Sequence, residues 1–327
     1  MKALVCTQYG PPEKLEVLEL PEQQPGPKEV LVQIKACSLN FPDTLIIQGL
    51  YQYKPEPPFV PGSDIAGVVK AVGAEAKGFS PGDEVFGLVV HGGFAEEVCV
   101  PANRCFPKYH GMDFKQAAAF TMTYATSYHA LKDRARLKEG ETLLVLGASG
   151  GVGITAVELG KVMGARVIAA ASTAEKLALC KQYGADELIN YQEENLKQRV
   201  KELTQGKGAD VVYDPVGGAY SEQALRATNW KGRFLVVGFA AGDIPRIPLN
   251  LPLLKGCQIV GVFWGDFATR NPGKNGMNMM ELIQLFEQGK INPHIEDMVS
   301  LEETPSALRK MMDRRVKGKI VLDMEKE

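Results

Sequence analysis

The pattern of hydrophobic and polar positions differs between the two parts of the chain. Up to about residue 101, short alternating or β-branched runs are separated by Pro and Gly turns, which predicts a β-rich region. From residue 141 onward, short continuous apolar runs alternate with helical stretches, which is typical of buried parallel strands. The predicted strands are residues 3–6, 15–20, 30–36, 65–72, 84–89 and 94–100 in the first region, and 143–146, 165–171, 187–191, 209–214, 232–239 and 257–264 in the second.

These patterns predict an α/β protein of two domains, because 327 residues are too many for one ordinary core. The six apolar runs predict a doubly wound parallel sheet of the Rossmann type, and the first region predicts a barrel-like or partly rolled sheet. A terminal strand at 318–323 is expected to return to the first domain, because one strand is not stable alone. The predicted boundaries are 1–124, 125–264 and 265–327, with the last segment joining the first domain.

A turn of small residues follows the predicted strand at 143–146. Ala148, Gly150 and Gly153 have the spacing of the A-x-G-x-x-G dinucleotide-binding fingerprint, and a helical stretch follows them. We predict a tight turn at Ala148, close backbone approach at Gly150 and strand–helix contact at Gly153, so that a pyrophosphate can lie on the helix N-terminus. A purely structural turn is the alternative interpretation. The predicted cofactor-binding loop comprises Ala148, Gly150, Gly151, Val152 and Gly153.

The end of the next strand indicates which cofactor the loop would bind. NAD sites usually have Asp or Glu there, but this chain has Ala171, Ser172 and Thr173, with Lys176 shortly after. Small hydroxyl residues and a positive charge suit a 2′-phosphate, so we predict NADPH; a solvated helix lysine is the alternative. Further residues predicted to line the cofactor crevice are Val216, Gly217, Gly238 and Phe239.

Charge and cysteine content limit the classes of binding partner and the cellular compartment that we expect. A formal charge of −2 and a pI near 6.2 give no reason to expect nucleic acid or an anionic membrane as partner. The six cysteines form no C-x-x-C pair, which favours reduced thiols in a cytosolic protein. With no signal-peptide pattern and no apolar run of membrane-spanning length, we expect a soluble, cytoplasmic protein.

Several short motifs, in order along nearly the whole chain, carry a family resemblance. They are N-F-P-D at 40–43, G-L-Y at 49–51, P-G-S-D at 61–64, G-D-E-V at 82–85, G-G-F-A-E at 92–96 and G-K-I-V-L at 318–322. The chain resembles a zinc-free medium-chain dehydrogenase/reductase of the NADPH:quinone oxidoreductase (zeta-crystallin) family. Residues 237–240 and 263–265 are most similar to its quinone oxidoreductase-like protein 2 branch.

The resemblance implies a GroES-like, β-barrel-type substrate domain beside the Rossmann domain. It implies that Lys176 and Tyr191 contact the 2′-phosphate and that Thr126 contacts the nicotinamide. It also implies a homodimer that pairs through the strand at 257–263. At Gln48 the chain departs from the family, because many members have Arg there.

Zinc-dependent relatives have a catalytic Cys and a His-Glu pair where this chain has Asn40 and Ser63-Asp64. An amide and a hydroxyl are poor zinc ligands, so no metal is expected. Without a Lewis acid, the acceptor should already be electrophilic. The leading hypothesis is a quinone; the alternatives are the C=C bond of enones, alkenals or enoyl thioesters, and a nucleotide-binding protein without turnover.

Asn40 and Tyr51 are the predicted catalytic residues. Asn40 would orient the acceptor or the nicotinamide carboxamide, and Tyr51 would donate a hydrogen bond or a proton. The alternatives are a loop-stabilising Asn and a packed aromatic ring. Asp43 is interpreted as a loop-anchoring carboxylate and not as an acid catalyst.

Overall fold

The computed structural model describes residues 1–326, which form two compact units. The first contains Met1–Met122 and the segment from Pro293 onward, and the second contains Thr123–Asn292. The strands are β1 Lys2–Cys6, β2 Leu15–Glu19, β3 Glu29–Ser38, β4 Asp64–Val72, β5 Glu84–Leu88, β6 Glu97–Pro101, β7 Cys105–Pro107, β8 Thr142–Leu146, β9 Arg166–Ala171, β10 Glu187–Asn190, β11 Ala209–Asp214, β12 Thr228–Val236, β13 Gln258–Gly261, β14 Ile295–Val299 and β15 Lys319–Asp323.

The helices are α1 Phe41–Ile46, α2 Phe114–Ala118, α3 Thr121–Tyr128, α4 Gly151–Val162, α5 Ala174–Gln182, α6 Leu196–Leu203, α7 Gly218–Arg226, α8 Asn250–Lys255, α9 Trp264–Arg270, α10 Pro272–Glu287 and α11 Thr304–Met312. A π-helix, His129–Ala135, continues α3. None of the helices in the described part of the chain combines the length and the apolar character that crossing a bilayer requires.

The first unit is built on a mainly antiparallel sheet in which β3 is central. The strand order is β14-β15-β3-β4-β5-β7, and β6 also pairs with β3. The long strand β3 can pair with three neighbours because β6 pairs with its residues 29–33 and β15 with its residues 36–38, while β4 pairs along most of its length. The closing strand β15 lies in this sheet, where Val321 is opposite Ser38. This pairing brings Lys319, at the start of β15, close to the segment that follows β3.

The second unit contains six parallel strands in the order β10-β9-β8-β11-β12-β13, so the doubly wound prediction is confirmed. The strand β8 lies in the middle, with Leu144 opposite Ile168 on one side and Val212 on the other. Four consecutive residues of β8 are buried, which requires that both faces of the strand be covered. The sheet therefore carries the glycine loop, which follows β8, at its centre.

The predicted domain boundaries need a correction, because residues 265–292 belong to the second unit and do not return to the first. Helix α10 is held there by contacts with the π-helix: Lys132 Nζ donates to Asn278 Oδ1 at 3.1 Å and to the Glu281 carboxylate. Met279 and Leu282 of α10 are fully buried. The amphipathic pattern predicts the helix but not the surface on which it packs.

Several short elements lack a strong sequence pattern and were not predicted, among them α1, α6, α8, α9, β7 and β14. Helix α1 does have a local signal. Asn40 precedes it, Pro42 stands in its first turn, and the Asn40 N–H donates to Asp43 Oδ2 at 2.7 Å. An N-x-x-D sequence is a form of capping box, so this signal could have placed the helix.

Candidate functional site

The glycine loop between β8 and α4 has two glycines that the fold itself requires. The sequence predicts the tight turn at Ala148. The structure places it one residue earlier, at Gly147, which has a left-handed φ of 55°. A Cβ on Gly153 would lie 2.2 Å from the Gly147 carbonyl oxygen, so strand and helix can meet only at a glycine. This contact agrees with the role predicted for Gly153.

Gly150 is different, because the fold leaves room for a side chain there. It precedes α4 with φ −78° and ψ 172°, which any residue can adopt. A Cβ there would meet only the Gly147 carbonyl oxygen, at 3.4 Å. The first N–H groups of a helix have no partner within the helix, and here no side chain covers them. The loop can therefore take an anion such as a pyrophosphate.

A hydroxyl network that the sequence did not reveal holds the loop in place. Ser127 Oγ donates to the Val152 carbonyl oxygen at 2.9 Å and lies 2.9 Å from both Thr155 Oγ1 and Tyr213 Oη. Ser127 follows the half-buried Thr126, so the predicted nicotinamide contact is next to this network. No local pattern marks these residues, because they come from α3, α4 and β11.

The end of β9 brings together the residues predicted to read the 2′-phosphate. Lys176 Nζ lies 3.4 Å from Ser172 Oγ, and the Lys176 N–H donates to Thr173 Oγ1, which caps α5. The Tyr191 N–H donates to the Ala171 carbonyl oxygen at 3.2 Å, so Tyr191 lies beside the same strand end. Ser172, Lys176 and the Tyr191 backbone therefore lie around one strand end, and the Tyr191 ring packs against that of Tyr220, with 4.4 Å between the ring centroids. Residues 171–173 include no carboxylate, and Glu175 follows in the first turn of α5.

The loop after β11 is organised by Asp214, which the sequence analysis did not single out. Its carboxylate accepts from the Val216 and Gly217 N–H groups at 2.8 and 2.9 Å and from Ser221 Oγ at 2.6 Å. Burial raises the pKa of Asp214, and these hydrogen bonds oppose that shift. Gly238 donates its N–H to the Asp214 carbonyl oxygen at 3.3 Å, so the two predicted loops are joined. Phe239, which follows, is exposed.

In the first unit, Asn40 is buried and both ends of its amide are engaged. Nδ2 donates to the Ser38 carbonyl oxygen at 3.2 Å and to Asp64 Oδ2 at 3.4 Å, and Oδ1 accepts from Lys319 Nζ at 2.5 Å. An amide nitrogen has only two hydrogens, so Asn40 could donate to an acceptor only if one of these bonds opened. The catalytic role of Asn40 stays a prediction, and the loop-stabilising alternative has these contacts in its favour.

Tyr51 is half-buried and packs against the apolar core of the first unit. Burial raises the pKa of its phenol, and the nearby Asp43 carboxylate raises it further. The phenol is therefore protonated at neutral pH and can donate a hydrogen bond or a proton. Its predicted role on the acceptor side stays a prediction.

The catalytic-zinc position of zinc-dependent relatives has weak donors in this chain. Asn40 and Ser63 offer an amide and a hydroxyl, and the Asn40 Oδ1 atom already accepts from an ammonium. Across residues 1–326, no group of three or more His, Cys, Asp or Glu side chains is arranged to hold a metal ion. These residues do not fit a catalytic zinc.

Comparison with known proteins identifies the family. The alcohol dehydrogenase GroES-like domain matches residues 26–110, and the zinc-binding dehydrogenase family matches residues 151–283. The quinone oxidoreductase-like protein 2 homolog of Nematostella vectensis is 38% identical over 325 residues, which cover 98% of this chain and 88% of that protein. The chain belongs to the quinone oxidoreductase family. The expected branch and the expected GroES-like and Rossmann folds are thereby confirmed, and the protein is an oxidoreductase.

Solved structures of other quinone oxidoreductases and of an enoyl reductase share this fold. The Escherichia coli quinone oxidoreductase complexed with NADPH has a TM-score of 0.94 at 29% identity, with 99% of this chain and 100% of that chain covered. The CurK enoyl reductase has a TM-score of 0.90 at 26% identity, with 98% of each chain covered. The shared fold thus occurs in proteins with two kinds of acceptor.

Proposed function

We propose that this quinone oxidoreductase family member reduces quinones by hydride transfer from NADPH, without a metal ion. The observation that carries the proposal is the end of β9, where Lys176 Nζ lies 3.4 Å from Ser172 Oγ, the Tyr191 backbone adjoins Ala171, and residues 171–173 include no carboxylate. A lysine and hydroxyl groups suit a 2′-phosphate, whereas an NAD site would have an acid to bond the 2′-hydroxyl. The related Escherichia coli enzyme complexed with NADPH supports this choice.

The glycine loop would hold the pyrophosphate of NADPH, and bound NADPH would supply the hydride. Gly150 would let the cofactor approach the backbone, and Ser127 would hold the start of α4 in place through the Val152 carbonyl. The loop after β11, which Asp214 holds, would line the other side of the cofactor. On the acceptor side, Tyr51 would donate to the oxygen on which negative charge develops. A quinone needs no further activation, because its conjugated carbonyls already accept a hydride.

A second candidate function is reduction of the C=C bond of enones, alkenals or enoyl thioesters. The similarity to the CurK enoyl reductase favours it, and a protonated Tyr51 could serve either reaction. Both reactions take one hydride and one proton, so the fold alone does not separate them. The acceptor must be identified by turnover.

The test is NADPH oxidation by the purified protein with a panel of quinones, enones, alkenals and enoyl thioesters, repeated with NADH and after treatment with a chelator. Selective turnover of quinones with NADPH, unchanged by the chelator, is the expected result. Turnover confined to the C=C substrates would replace the quinone proposal with the second candidate. NADPH binding without turnover on any acceptor would favour a nucleotide-binding protein.

We also propose that the protein is a homodimer that pairs through β13, the edge strand of the parallel sheet. This strand pairs with β12 on one side and exposes Gln258, Ile259 and Gly261. Leu249, Leu253 and Leu254 near it are 70–80% exposed, which is unusual for leucines of a monomer. A second copy of the sheet would pair with the open edge and cover these side chains.

The cytoplasmic location of the protein stays a prediction.

Light scattering after size-exclusion chromatography tests the dimer. The parent should have twice the mass of one chain, and Ile259→Lys should shift it to the monomer because a charge would be buried at the edge. Val17→Lys is the matched control, because Val17 is also an exposed apolar strand residue. A monomeric parent, or a dimeric Ile259→Lys variant, would contradict pairing through β13.

A further inference from the structure

The second unit contains an open cavity at the end of the parallel sheet that is opposite the glycine loop. Glu141 directly precedes β8, whereas the glycine loop directly follows it, so the length of this strand separates the cavity from the predicted cofactor loop. The cavity has a volume of about 550 Å³, and its charged lining residues are Asp133, Arg134, Arg136, Lys138, Glu141 and Arg233. We call this space the arginine cavity.

The two carboxylates of the arginine cavity already have cationic partners within the protein. The Glu141 carboxylate accepts from both Nη atoms of Arg233 at 2.8 and 2.6 Å, and it also accepts from the Lys138 backbone N–H at 2.9 Å. The Asp133 carboxylate forms an ion pair with Lys274 at 2.6 Å. Neither carboxylate is therefore left to balance the other cations of the lining.

Three cationic side chains of the lining remain without a carboxylate partner, and all three are exposed. Arg134 is anchored through its Nε atom, which donates to the Gly261 carbonyl oxygen at 2.9 Å. Arg136 and Lys138 form no side-chain hydrogen bond or ion pair with residues 1–326, and Lys138 acts on the Glu141 carboxylate only through space. The arginine cavity thus has an excess of positive charge.

The backbone at Arg136 is in a conformation that favours glycine. The π-helix ends at Ala135, and Arg136 follows it with φ 49° and ψ 52°, where a Cβ atom is crowded by the backbone. π-Helical segments are rare, and they frequently occur at functional sites. An arginine in a strained position, with a side chain that no other described residue uses, is what a ligand in the arginine cavity would require.

The lining and the size of the cavity indicate the chemistry of the ligand. A guanidinium group can donate two parallel hydrogen bonds to phosphate oxygens, and a phosphate monoester carries about two negative charges at neutral pH. Cavities that bind small organic molecules have volumes of roughly 300 to 1,000 Å³, so there is room for more than a bare ion. Val260 and Gln258 of β13 also line the cavity and offer an apolar contact and an amide to an organic group.

We propose that the arginine cavity binds an organic phosphate monoester, either a nucleotide or a sugar phosphate, through Arg134, Arg136 and Lys138. This site is separate from the proposed NADPH site and does not depend on the proposed function. It is also compatible with the proposed dimer. Pairing through the edge of β13 uses backbone groups in the plane of the sheet, whereas the Gln258 and Val260 side chains lie on one face of it.

Calorimetric titration at low ionic strength tests the proposal. The protein is first saturated with NADPH, so that the probes do not enter the cofactor site. The probes are uridine 5′-monophosphate, ribose 5-phosphate, inorganic phosphate and uridine. We expect both organic phosphates to bind, inorganic phosphate to bind more weakly and uridine not to bind, and we expect added salt to weaken the binding. Tighter binding of uridine monophosphate than of ribose 5-phosphate would identify a nucleotide as the ligand, and equal binding would identify a sugar phosphate.

Arg136→Gln should weaken the binding of both organic phosphates by about tenfold, which is the lower end for a hydrogen bond to a charged group because this side chain is exposed. Arg314→Gln is the matched control and should bind like the parent. Arg314 is also an exposed arginine with a left-handed φ, of 59°, and it follows α11 in the first unit. Lys138→Gln, which does not alter a left-handed position, should also weaken binding and tests the same site if Arg136→Gln does not fold.

Three results would overturn the inference. They are no binding of either organic phosphate to the parent at millimolar concentration, the same affinity in Arg136→Gln or Lys138→Gln as in Arg314→Gln, and binding of inorganic phosphate as tight as that of the organic phosphates. Failure of the parent to bind NADPH would contradict the proposed function instead. In that case the titrations of the variants still test the arginine cavity, because the glycine loop is the same in all of them.

Discussion

At the scale of single residues, Asn40 shows how tertiary contacts limit what a side chain can do. Its position in an N-x-x-D motif is compatible with an exposed catalytic amide. In the folded unit, Lys319 and Asp64 occupy that amide from positions 279 and 24 residues away. A local motif contains no information on such distant partners, so the sequence left both interpretations open.

Lys176→Ala should weaken NADPH binding about ten- to a hundredfold and leave NADH binding unchanged. A hydrogen bond to a charged group contributes roughly 1.5 to 3 kcal/mol, and only NADPH has the 2′-phosphate. Dissociation constants of both cofactors, measured by calorimetry for parent and variant, provide the check. Lys181→Ala is the control, because Lys181 is on the same helix and donates to the Asp186 carbonyl oxygen. Equal weakening of both cofactors would mean that Lys176 supports the fold.

Tyr51→Phe should lower kcat with the acceptor by about 10²-fold and leave NADPH affinity unchanged, because only the acceptor-side donor is lost. Steady-state kinetics combined with NADPH titration separate the two quantities. The control is Tyr53→Phe, since Tyr53 is more exposed and stacks on His91 instead of packing in the core. If Tyr51→Phe kept the parent kcat, the ring would be a packing residue only.

At the scale of elements, the β8–α4 turn combines glycines with two different duties. Gly147 and Gly153 are required by the protein itself, one by its left-handed φ and the other by a carbonyl oxygen where a Cβ would be. Neither of these two reasons applies to Gly150. A glycine that the fold does not need, at the start of a helix after a central strand, is what a ligand approaching the backbone would require.

Gly150→Ala should therefore fold like the parent but bind NADPH about ten- to a hundredfold more weakly, because its Cβ would displace phosphate from the N–H groups of α4. Gly153→Ala should instead lose about 1 to 3 kcal/mol of unfolding free energy through overpacking. Denaturant unfolding and NADPH titration of the two variants give the comparison. Tight NADPH binding by Gly150→Ala would remove the loop from the cofactor site.

At the scale of the whole molecule, one buried carboxyl group fixes both ends of the second unit. The chain enters this unit at Thr123 and leaves it at Asn292. Glu158 of α4 accepts from Tyr124 Oη at 2.5 Å and from the Asn292 N–H at 3.0 Å. Burial raises the pKa of Glu158 to about 7, although both hydrogen bonds oppose the shift. The helix that starts at the glycine loop is thus tied to both chain crossings.

This carboxyl should make stability depend on pH. Since its folded pKa is raised above the ordinary glutamate value of 4.5, the folded state binds the proton more tightly. The stabilisation is complete below about pH 4.5 and is lost as the pH rises to about 7. Relative to Glu158→Gln, the parent should lose about 1 to 3 kcal/mol of unfolding free energy over that window.

Urea unfolding of parent and Glu158→Gln at both ends of the window measures this difference. Glu139→Gln, at an exposed glutamate, is the control and should follow the parent at both pH values. A constant difference between parent and Glu158→Gln across the window would show that Glu158 has the same proton affinity in the folded and unfolded states.

The sequence by itself determined the features that arise from local spacing. Continuous apolar runs identified the parallel strands, and the A-x-G-x-x-G spacing identified the cofactor loop, because both are set by neighbours within a few residues. Ser172 and Lys176 could be named because they follow the end of one predicted strand, whereas Tyr191 could be named only through the family resemblance. The absence of a carboxylate at that end was equally visible.

Only the tertiary structure decided which distant residues share a buried environment. The assignment of α10 to the second unit depends on the π-helix, about 145 residues earlier in the chain. Asp43, Asp64 and Lys319 come from three separate elements and are all buried, and Glu158 joins the two ends of a unit. Burial and charge balance depend on packing between these elements, and packing has no period that a sequence pattern can show.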